Sequence, residues 1–372
     1  MPKPMLDEYK IAFSLIGGMG VKFGRLMLDC VGTEREFFAK SSAELERLFS
    51  RRNKILDAGY RQSLLATARA ELEFMSEHGV RARYFTDDDF PRRLLEADDA
   101  PVLLYSFGPA DLNSEHVISI VGTRHATLYG RSAVGRILQE VKLSFPDTVV
   151  VSGLAFGIDV AAHRAAMECG LPTVAVVAHG LNTIYPASHR EVARDILRKG
   201  GAIVSDYTSQ SVLHRGNFLA RNRIIAALAD CTIVAESAAK GGAMVTAAIA
   251  GSYNRDVCAI PGRIGDTYSE GCNALIKRNK AAMITSADDL FEALRWEKPV
   301  PAGTQASLFP QYEYTPEEAK IVSFLTDRGT AHLNDIATAL NRPVHKLLAV
   351  LVEMEFKQLL EALPGSRFTL AH

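Results

Sequence analysis

The sequence predicts an α/β protein: a doubly wound, Rossmann-like parallel sheet flanked by a small N-terminal helical domain and a C-terminal winged helix. Two observations predict the sheet. From Val117 onward, short apolar runs without polar alternation are separated by helical patterns, which is typical of parallel strands covered on both faces. Several runs end in glycine, where the carboxyl ends of the strands share one edge. The runs are VISIVG, VVVSG, TVAVVAHG, AIVSDY, CTIVAESA, VCAIPG and AAMITS.

The sheet and the elements before and after it divide the chain into five predicted segments. Short helical patterns surround the GGMG and CVGT turns near the N-terminus, a helix and a stretch rich in acids and prolines follow, and a Pro/Gly/Ser/Gln-rich linker comes after the sheet. TPEE, a capping box, then begins three helical patterns and two strand-like runs, the order of a winged helix. The segments are 1–62, helical (SAM or helix-hairpin-helix-like); 63–115, a connecting helix and an extended segment leading into the sheet; 116–296, Rossmann-like; 297–314, linker; and 315–372, winged helix.

Composition narrows the class of protein. With 372 residues, 48% of them hydrophobic, the chain is long enough to bury a large core, and its net charge of −1 gives no overall attraction to nucleic acid or membrane. Five cysteines without a C-x-x-C pair argue against a disulfide framework or a zinc site. No run is long enough for a membrane span or resembles a signal peptide. We therefore predict a cytoplasmic protein without a cofactor.

Residues 149–163 pass from a buried strand through two glycines into a helix. Ser152 and Gly153 end the strand, and Gly157 precedes a helix that we expect Asp159 to cap. The unpaired amides of such a helix start suit phosphate. Asp159 and His163 have the spacing of an acid/base pair, but a helix cap and a packed or surface histidine are the favoured interpretation.

The shared edge of the predicted sheet, where the glycine-terminated strands end, is where a nucleotide would bind, and three kinds of nucleotide site have recognisable sequence patterns. After the first long strand the chain has GTRHATLYG in place of G-x-G-x-x-G, and it has no G-K-[ST] loop, so neither a dehydrogenase nor a P-loop protein is predicted. A nucleotide hydrolase is the more serious enzyme hypothesis, because related α/β folds place a catalytic carboxylate beside a double-glycine loop. Gly241 and Gly242, after Lys240, form such a loop. However, no acid lies between Glu236 and Asp256.

Residues 207–229 contain three arginines and no acid. Arg215, Phe218 and Asn222 fall on one face of a predicted helix, with Arg221 beside them. Guanidinium groups pair with phosphate and an aromatic ring stacks on an exposed base, so this face suits single-stranded nucleic acid. Internal ion pairs for the arginines, and a core position for Phe218, are the alternatives.

These motifs together resemble the bacterial DNA-processing proteins of the DprA/Smf type. The resemblance is carried by IVGTRHATLYG, VSGLAFGIDVAAH, LNTIYP, FLARNRII, GGAMVTAAIA, AIPG and GCNALI. It implies a non-enzymatic, homodimeric protein that binds and protects single-stranded DNA and loads the RecA recombinase during natural transformation. The alternative is a nucleotide-binding or nucleotide-hydrolysing (LOG-type) protein. The DNA contacts implied are Gly122, Thr123, Arg124, Ser152, Gly153, Gly157, Arg221 and Asn222, with Arg215 and Phe218 as neighbours.

The linker contains QASLF, which resembles the pentapeptide that docks bacterial proteins on the replication sliding clamp. Gln305, Leu308 and Phe309 are the residues expected to carry that contact. Leu308 and Phe309 pinning the linker to the sheet is the favoured alternative.

Overall fold

The structure, a computed structural model, describes residues 6–50, 53–298 and 314–371. The chain divides into two compact units, Met1–Pro299 and Val300–His372. Most of the predicted 297–314 linker lies outside the described residues. The clamp-motif residues Gln305, Leu308 and Phe309 are among them, so that prediction is untested.

Over the described residues between 6 and 78, the first unit begins with five α-helices, and polar side chains cap four of them at the N-terminus. Asp7, Thr33, Ser41 and Asp57 each accept a hydrogen bond from a backbone amide of the first turn. The apolar sides of these helices share one hydrophobic core with a face of the sheet that follows. The helices are α1 (Glu8–Ser14), α2 (Val21–Val31), α3 (Glu34–Ala39), α4 (Ser42–Phe49) and α5 (Ala58–His78).

A nine-stranded mixed sheet forms the centre of the first unit, in the order β1-β2-β6-β5-β4-β3-β7-β8-β9. The seven predicted runs form β3 to β9, all parallel to their neighbours among these strands. The extended segment that leads into the parallel strands also contributes β2, which pairs antiparallel with β1 and β6. The strands are β1 (Arg81–Tyr84), β2 (Leu103–Phe107), β3 (Val117–Val121), β4 (Val149–Ser152), β5 (Thr173–Val176), β6 (Ala202–Ser205), β7 (Cys231–Val234), β8 (Asp256–Ala259) and β9 (Ala282–Met283).

Both faces of the parallel strands are buried. In β3, Val117 and Val121 pack into the core shared with the N-terminal helices, whereas Ile118 and Ile120 pack into a second core on the opposite face. This explains the lack of polar alternation in the sequence, because side chains on both faces meet helices. The doubly wound, Rossmann-like prediction is confirmed for the parallel part of the sheet.

From residue 81 to residue 298, all of which are described, eight α-helices connect and cover these strands. Among the described helices, none is both long and apolar enough to cross a membrane. The eight are α6 (Arg92–Leu95), α7 (Leu128–Ser144), α8 (Ile158–Cys169), α9 (Arg190–Arg198), α10 (Arg215–Ala227), α11 (Gly242–Ser252), α12 (Glu270–Lys277) and α13 (Ala287–Leu294).

The second unit has its own core, in which Ile321, Ile336, Leu347 and Phe368 are buried. Thr315 and Glu318 form the predicted capping box, and the three-stranded antiparallel sheet has the order β10-β12-β11. The winged-helix assignment stays a prediction. The elements are α14 (Pro316–Arg328), β10 (Thr330–His332), α15 (Leu333–Ala339), α16 (Val344–Phe356), β11 (Leu360–Leu363) and β12 (Arg367–Leu370).

Candidate nucleic-acid interface

A crevice opens where the winding of the sheet reverses. From β3 the chain moves outward through β4, β5 and β6, and it then returns to place β7 on the other side of β3. The connections after β3 and β7 therefore diverge at their carboxyl ends, which is where open α/β sheets bind ligands. The crevice has a volume of about 280 Å³. Its lining residues are Val121 to Arg124, Ala155, Asp159, Phe218, Leu219, Arg221, Asn222, Ile225, Ser237, Ala238, Gly241 to Ala243 and Thr246.

The loop after β3 is held by Glu236, which follows β7. The Thr123 amide donates to the Glu236 carbonyl over 2.7 Å, and the Glu236 carboxylate accepts from the Thr127 amide at 2.9 Å and hydroxyl at 2.5 Å. A Cβ on Gly122 would lie 2.5 Å from Ile158 Cγ1, so the loop packs on α8 at a distance that only glycine permits. These contacts leave Arg124 exposed at the edge of the crevice.

Gly157 permits the loop before α8 to contact the loop after β3. Its φ is +79°, and a Cβ there would lie 2.1 Å from the Thr123 carbonyl oxygen. The Ile158 amide donates to that oxygen over 3.1 Å, and the Val160 amide donates to Ala155. The first-turn amides of α8 at these two positions are thus already used, and the expectation that they await phosphate is wrong.

Asp159 does not cap α8. It is the second residue of the helix, Gly157 occupies the cap position without a side-chain hydrogen bond, and the carboxyl group interacts with the backbone of Gly153 and Ala155. Burial raises the pKa of Asp159, and the positive charge of Arg221 opposes that rise. Asp159 is the one acidic side chain among the described crevice-lining residues, and it is 7% exposed.

His163 is fully buried and hydrogen-bonded within the core. Its Nδ1 lies 2.7 Å from the Thr173 hydroxyl, which itself donates to the Val150 carbonyl. Because the hydroxyl proton is committed to Val150, Nδ1–H must be the donor to Thr173. The spacing of Asp159 and His163 therefore does not produce an acid/base pair facing the crevice.

Arg221 lies at the buried floor of the crevice and not at its mouth. The side chain is buried, its Nη1 donates to the Gly153 carbonyl over 2.6 Å, and the same nitrogen contacts the Val176 carbonyl. Burial lowers the pKa of Arg221, and the nearby Asp159 opposes that change. Arg221 therefore joins the ends of β4 and β5. This internal position agrees with the alternative that the arginines make contacts within the fold, although the partners of Arg221 are mainly carbonyl groups and not carboxylates.

Three side chains form a row at the edge of the crevice. The Arg124 guanidinium lies over the Phe218 ring, 5.9 Å from its centroid, and the Tyr185 ring centroid is 5.6 Å from that of Phe218. Tyr185 is 49% exposed and Phe218 is half-buried. The row thus offers one cation and two aromatic rings beside an open pocket.

The predicted contact residues divide into three groups. Gly122, Thr123, Arg124, Phe218, Arg221 and Asn222 line the crevice. Gly153 and Gly157 permit close packing beneath it, and Ser152 is fully buried with its hydroxyl donated to Ile120 over 2.6 Å. Arg215, the first residue of α10, is exposed but does not line the crevice.

Sequence reasoning missed part of the crevice. Gly241 and Gly242 were noted as the glycine pair after Lys240 but not as DNA contacts, although α11 begins at Gly242 without a side-chain cap and both glycines line the crevice. Ser237 and Thr246 complete that wall. Tyr185 lies in the LNTIYP turn, and its aromatic ring was the available signal.

Comparisons with known proteins agree with this geometry. The family model for DNA recombination-mediator protein A matches residues 81–295. Protein Smf of Escherichia coli is 33% identical over 280 residues, 74% of each chain. The crystal structure of DNA processing protein A from Streptococcus pneumoniae matches with a TM-score of 0.64 and 28% identity, covering 79% of this chain and 99% of that one.

A second solved structure carries ligand information. It is DNA processing protein A of Helicobacter pylori, described by its single-stranded DNA binding mode, with a TM-score of 0.52 and 27% identity over 59% of this chain and 98% of that one. The strand order, the crevice at the switch point and these matches lead to one conclusion: the chain belongs to the DNA recombination-mediator protein A family, the DprA/Smf family of DNA-processing proteins.

Proposed function

We propose that this protein binds single-stranded DNA in the crevice without catalysing a reaction, protects the strand and transfers it to a RecA recombinase. The observation that carries the proposal is the row formed by Arg124, Phe218 and Tyr185. An unpaired strand exposes base faces that stack on aromatic rings, at about 1–3 kcal/mol per base, while its phosphates attract arginine. A duplex hides those faces.

The walls of the crevice support this assignment. Gly242 has nothing within 4 Å of an added Cβ and leaves the backbone open to close approach, and the uncapped start of α11 presents a partial positive charge to a phosphate. Within the described part of the chain, the one carboxylate that lines the crevice is that of Asp159, and it is buried beside Arg221. A base for hydrolysis would need to accept a proton from water, and this group is poorly placed to do so.

Homodimer formation and RecA loading are further parts of the proposal, and family membership supports them. Docking on the sliding clamp through Gln305, Leu308 and Phe309 stays a separate hypothesis. RecA loading is tested by measuring RecA filament formation on DNA that is already covered by single-strand binding protein. We expect the full-length protein to shorten the lag, and an unchanged lag would remove this part of the proposal.

DNA binding is tested by fluorescence anisotropy with a labelled oligonucleotide, its duplex and a labelled mononucleotide, at several salt concentrations. We expect tight binding of the single strand that weakens steeply with salt, because each phosphate contact releases counterions. Tight binding or turnover of a mononucleotide, with salt-insensitive and weak binding of the oligonucleotide, would instead support the nucleotide-hydrolysing alternative.

A further inference from the structure

A second, more open groove adjoins the crevice, and Arg124 lines both. This groove, which we call the α7–α8 groove, has a volume of about 700 Å³. Its walls are the loop after β3, α7 and α8, and its described lining is Arg124 to Ala126, Arg131, Gly135, Phe156, Gly157, Val160, Ala161, Arg164, Ala165 and Glu168. The two cavities therefore lie on either side of one exposed arginine.

The charge of the α7–α8 groove is positive. Arg124, Arg131 and Arg164 line it, together with His125, against a single acid, Glu168. All of these side chains are exposed. Like charges that share a groove repel one another at distances within the Debye length, about 8 Å at physiological ionic strength, so an anionic ligand relieves that repulsion.

The two helical arginines differ in how they are held. Arg131 donates through Nη2 to the Ala126 carbonyl over 3.0 Å, which orients its guanidinium. Across the described ranges 6–50, 53–298 and 314–371, Arg164 has neither a hydrogen-bond nor an ion-pair partner. The charge of Arg164 therefore contributes no contact to the fold and is free to meet a phosphate.

An aromatic ring lies at the rim of the same groove. Phe156 is 47% exposed, and its ring packs edge-on against His189 with a centroid distance of 4.9 Å. His189 is buried and bonded through Nδ1 to the Leu154 carbonyl at 2.9 Å. Phe156 is thus an exposed ring on a fixed support, as a base-stacking platform requires.

We propose that the α7–α8 groove is a second subsite for the same DNA strand, in which Arg131 and Arg164 bind phosphates and Phe156 stacks on a base. This inference rests on the proposed function of the crevice. It states that nucleotides beyond those held beside Phe218 continue past Arg124 into the groove. The affinity should therefore depend on strand length.

The test compares oligothymidylates of about 4 and about 20 nucleotides, a range typical of single-strand sites. The full-length Arg131→Ala/Arg164→Ala variant is compared with Arg136→Ala, which removes an exposed charge from α7 outside the groove. We expect the double variant to bind the long strand about tenfold more weakly and the short one within about twofold of wild type. Its salt slope for the long strand should be shallower by about 1.4, for two lost phosphate contacts.

Two results would overturn the inference. One is a loss no larger than that of Arg136→Ala, and the other is an equal loss for both strand lengths. A Phe156→Ala variant provides an independent check, since it should weaken long-strand binding without changing the salt slope. If neither the groove variant nor Arg124→Ala/Phe218→Ala loses affinity, both the second subsite and the proposed function of the crevice are wrong. If Arg124→Ala/Phe218→Ala loses affinity and the groove variant does not, only the second subsite is wrong.

Discussion

The Nη1 atom of Arg221 lies 2.6 Å from the carbonyl oxygen of Gly153, below the crevice. A Cβ on residue 153 would lie 2.4 Å from that nitrogen, so the glycine leaves the space that the guanidinium occupies. Arg221 joins the ends of two parallel strands and faces Asp159. The residue most readily taken for a DNA contact is therefore also part of the fold.

Replacing Arg221 should destabilise the protein. Arg221→Ala leaves the Gly153 and Val176 carbonyls without their donor and Asp159 without its neighbouring cation. We expect the free energy of unfolding to fall by about 3–5 kcal/mol, as for other broken buried charge contacts. Urea denaturation measures this change.

Arg215→Ala is the matched comparison on the same helix. Arg215 is exposed, so its removal should change the free energy of unfolding by less than about 0.5 kcal/mol while weakening binding of single-stranded DNA at low salt. A stable Arg221→Ala variant, equal to Arg215→Ala in denaturation, would contradict the structural role assigned to Arg221.

Gly153 and Gly157, in the loop between β4 and α8, should tolerate no side chain. A Cβ on residue 157 would lie 2.1 Å from the Thr123 carbonyl at a φ of +79°. We therefore expect both Gly153→Ala and Gly157→Ala to lower the free energy of unfolding by about 1–3 kcal/mol. Gly251→Ala, on α11 with nothing within 4 Å of the added carbon, is the control and should be neutral or stabilising. Equal thermal midpoints for all three variants would refute the packing argument.

His163 should make stability depend on pH. Burial lowers its pKa from 6.5 to about 3, so between those values the unfolded chain binds a proton that the folded chain does not. Stability contributed by the neutral ring is thus complete above the unfolded pKa and declines as the pH falls, by up to about 1.4 kcal/mol per pH unit.

His163→Asn tests this dependence, since its amide can retain the bond to Thr173 without titrating. We expect the variant to show a flatter pH profile of the free energy of unfolding between about pH 6.5 and about pH 3. Superimposable slopes for wild type and variant would show that His163 does not bind the proton.

The parallel strands β3 to β9 could be predicted because apolar runs covered on both faces leave a pattern in the sequence. Strand β2 was missed since it lies in a stretch of acids and prolines, and edge pairing with β1 and β6 depends on partners distant along the chain. The burial of Arg221 could not be predicted for the same reason, because its carbonyl partners are 68 and 45 residues away in the sequence.

The exposed site was more accessible to sequence reasoning than the buried one. Phe218 and Asn222 were expected at the crevice from residue type and helical spacing, Arg124 was expected there from the family resemblance, and all three line it. Tyr185 was not, because its approach to Phe218 depends on how the turn after β5 folds over α10. Helix periodicity predicts neighbours within an element but not between elements.

Direct binding of a single strand by Arg124 and Phe218 is tested by measuring the affinity of the full-length Arg124→Ala/Phe218→Ala variant for a labelled oligonucleotide at several salt concentrations. The Arg136→Ala variant is measured in the same way as the control. We expect affinity to fall by a factor of about ten or more in the double variant, from the loss of one stacked base and one phosphate contact, with a salt slope shallower by about 0.7. Wild-type affinity and salt slope in a double variant that denatures like wild type would contradict it.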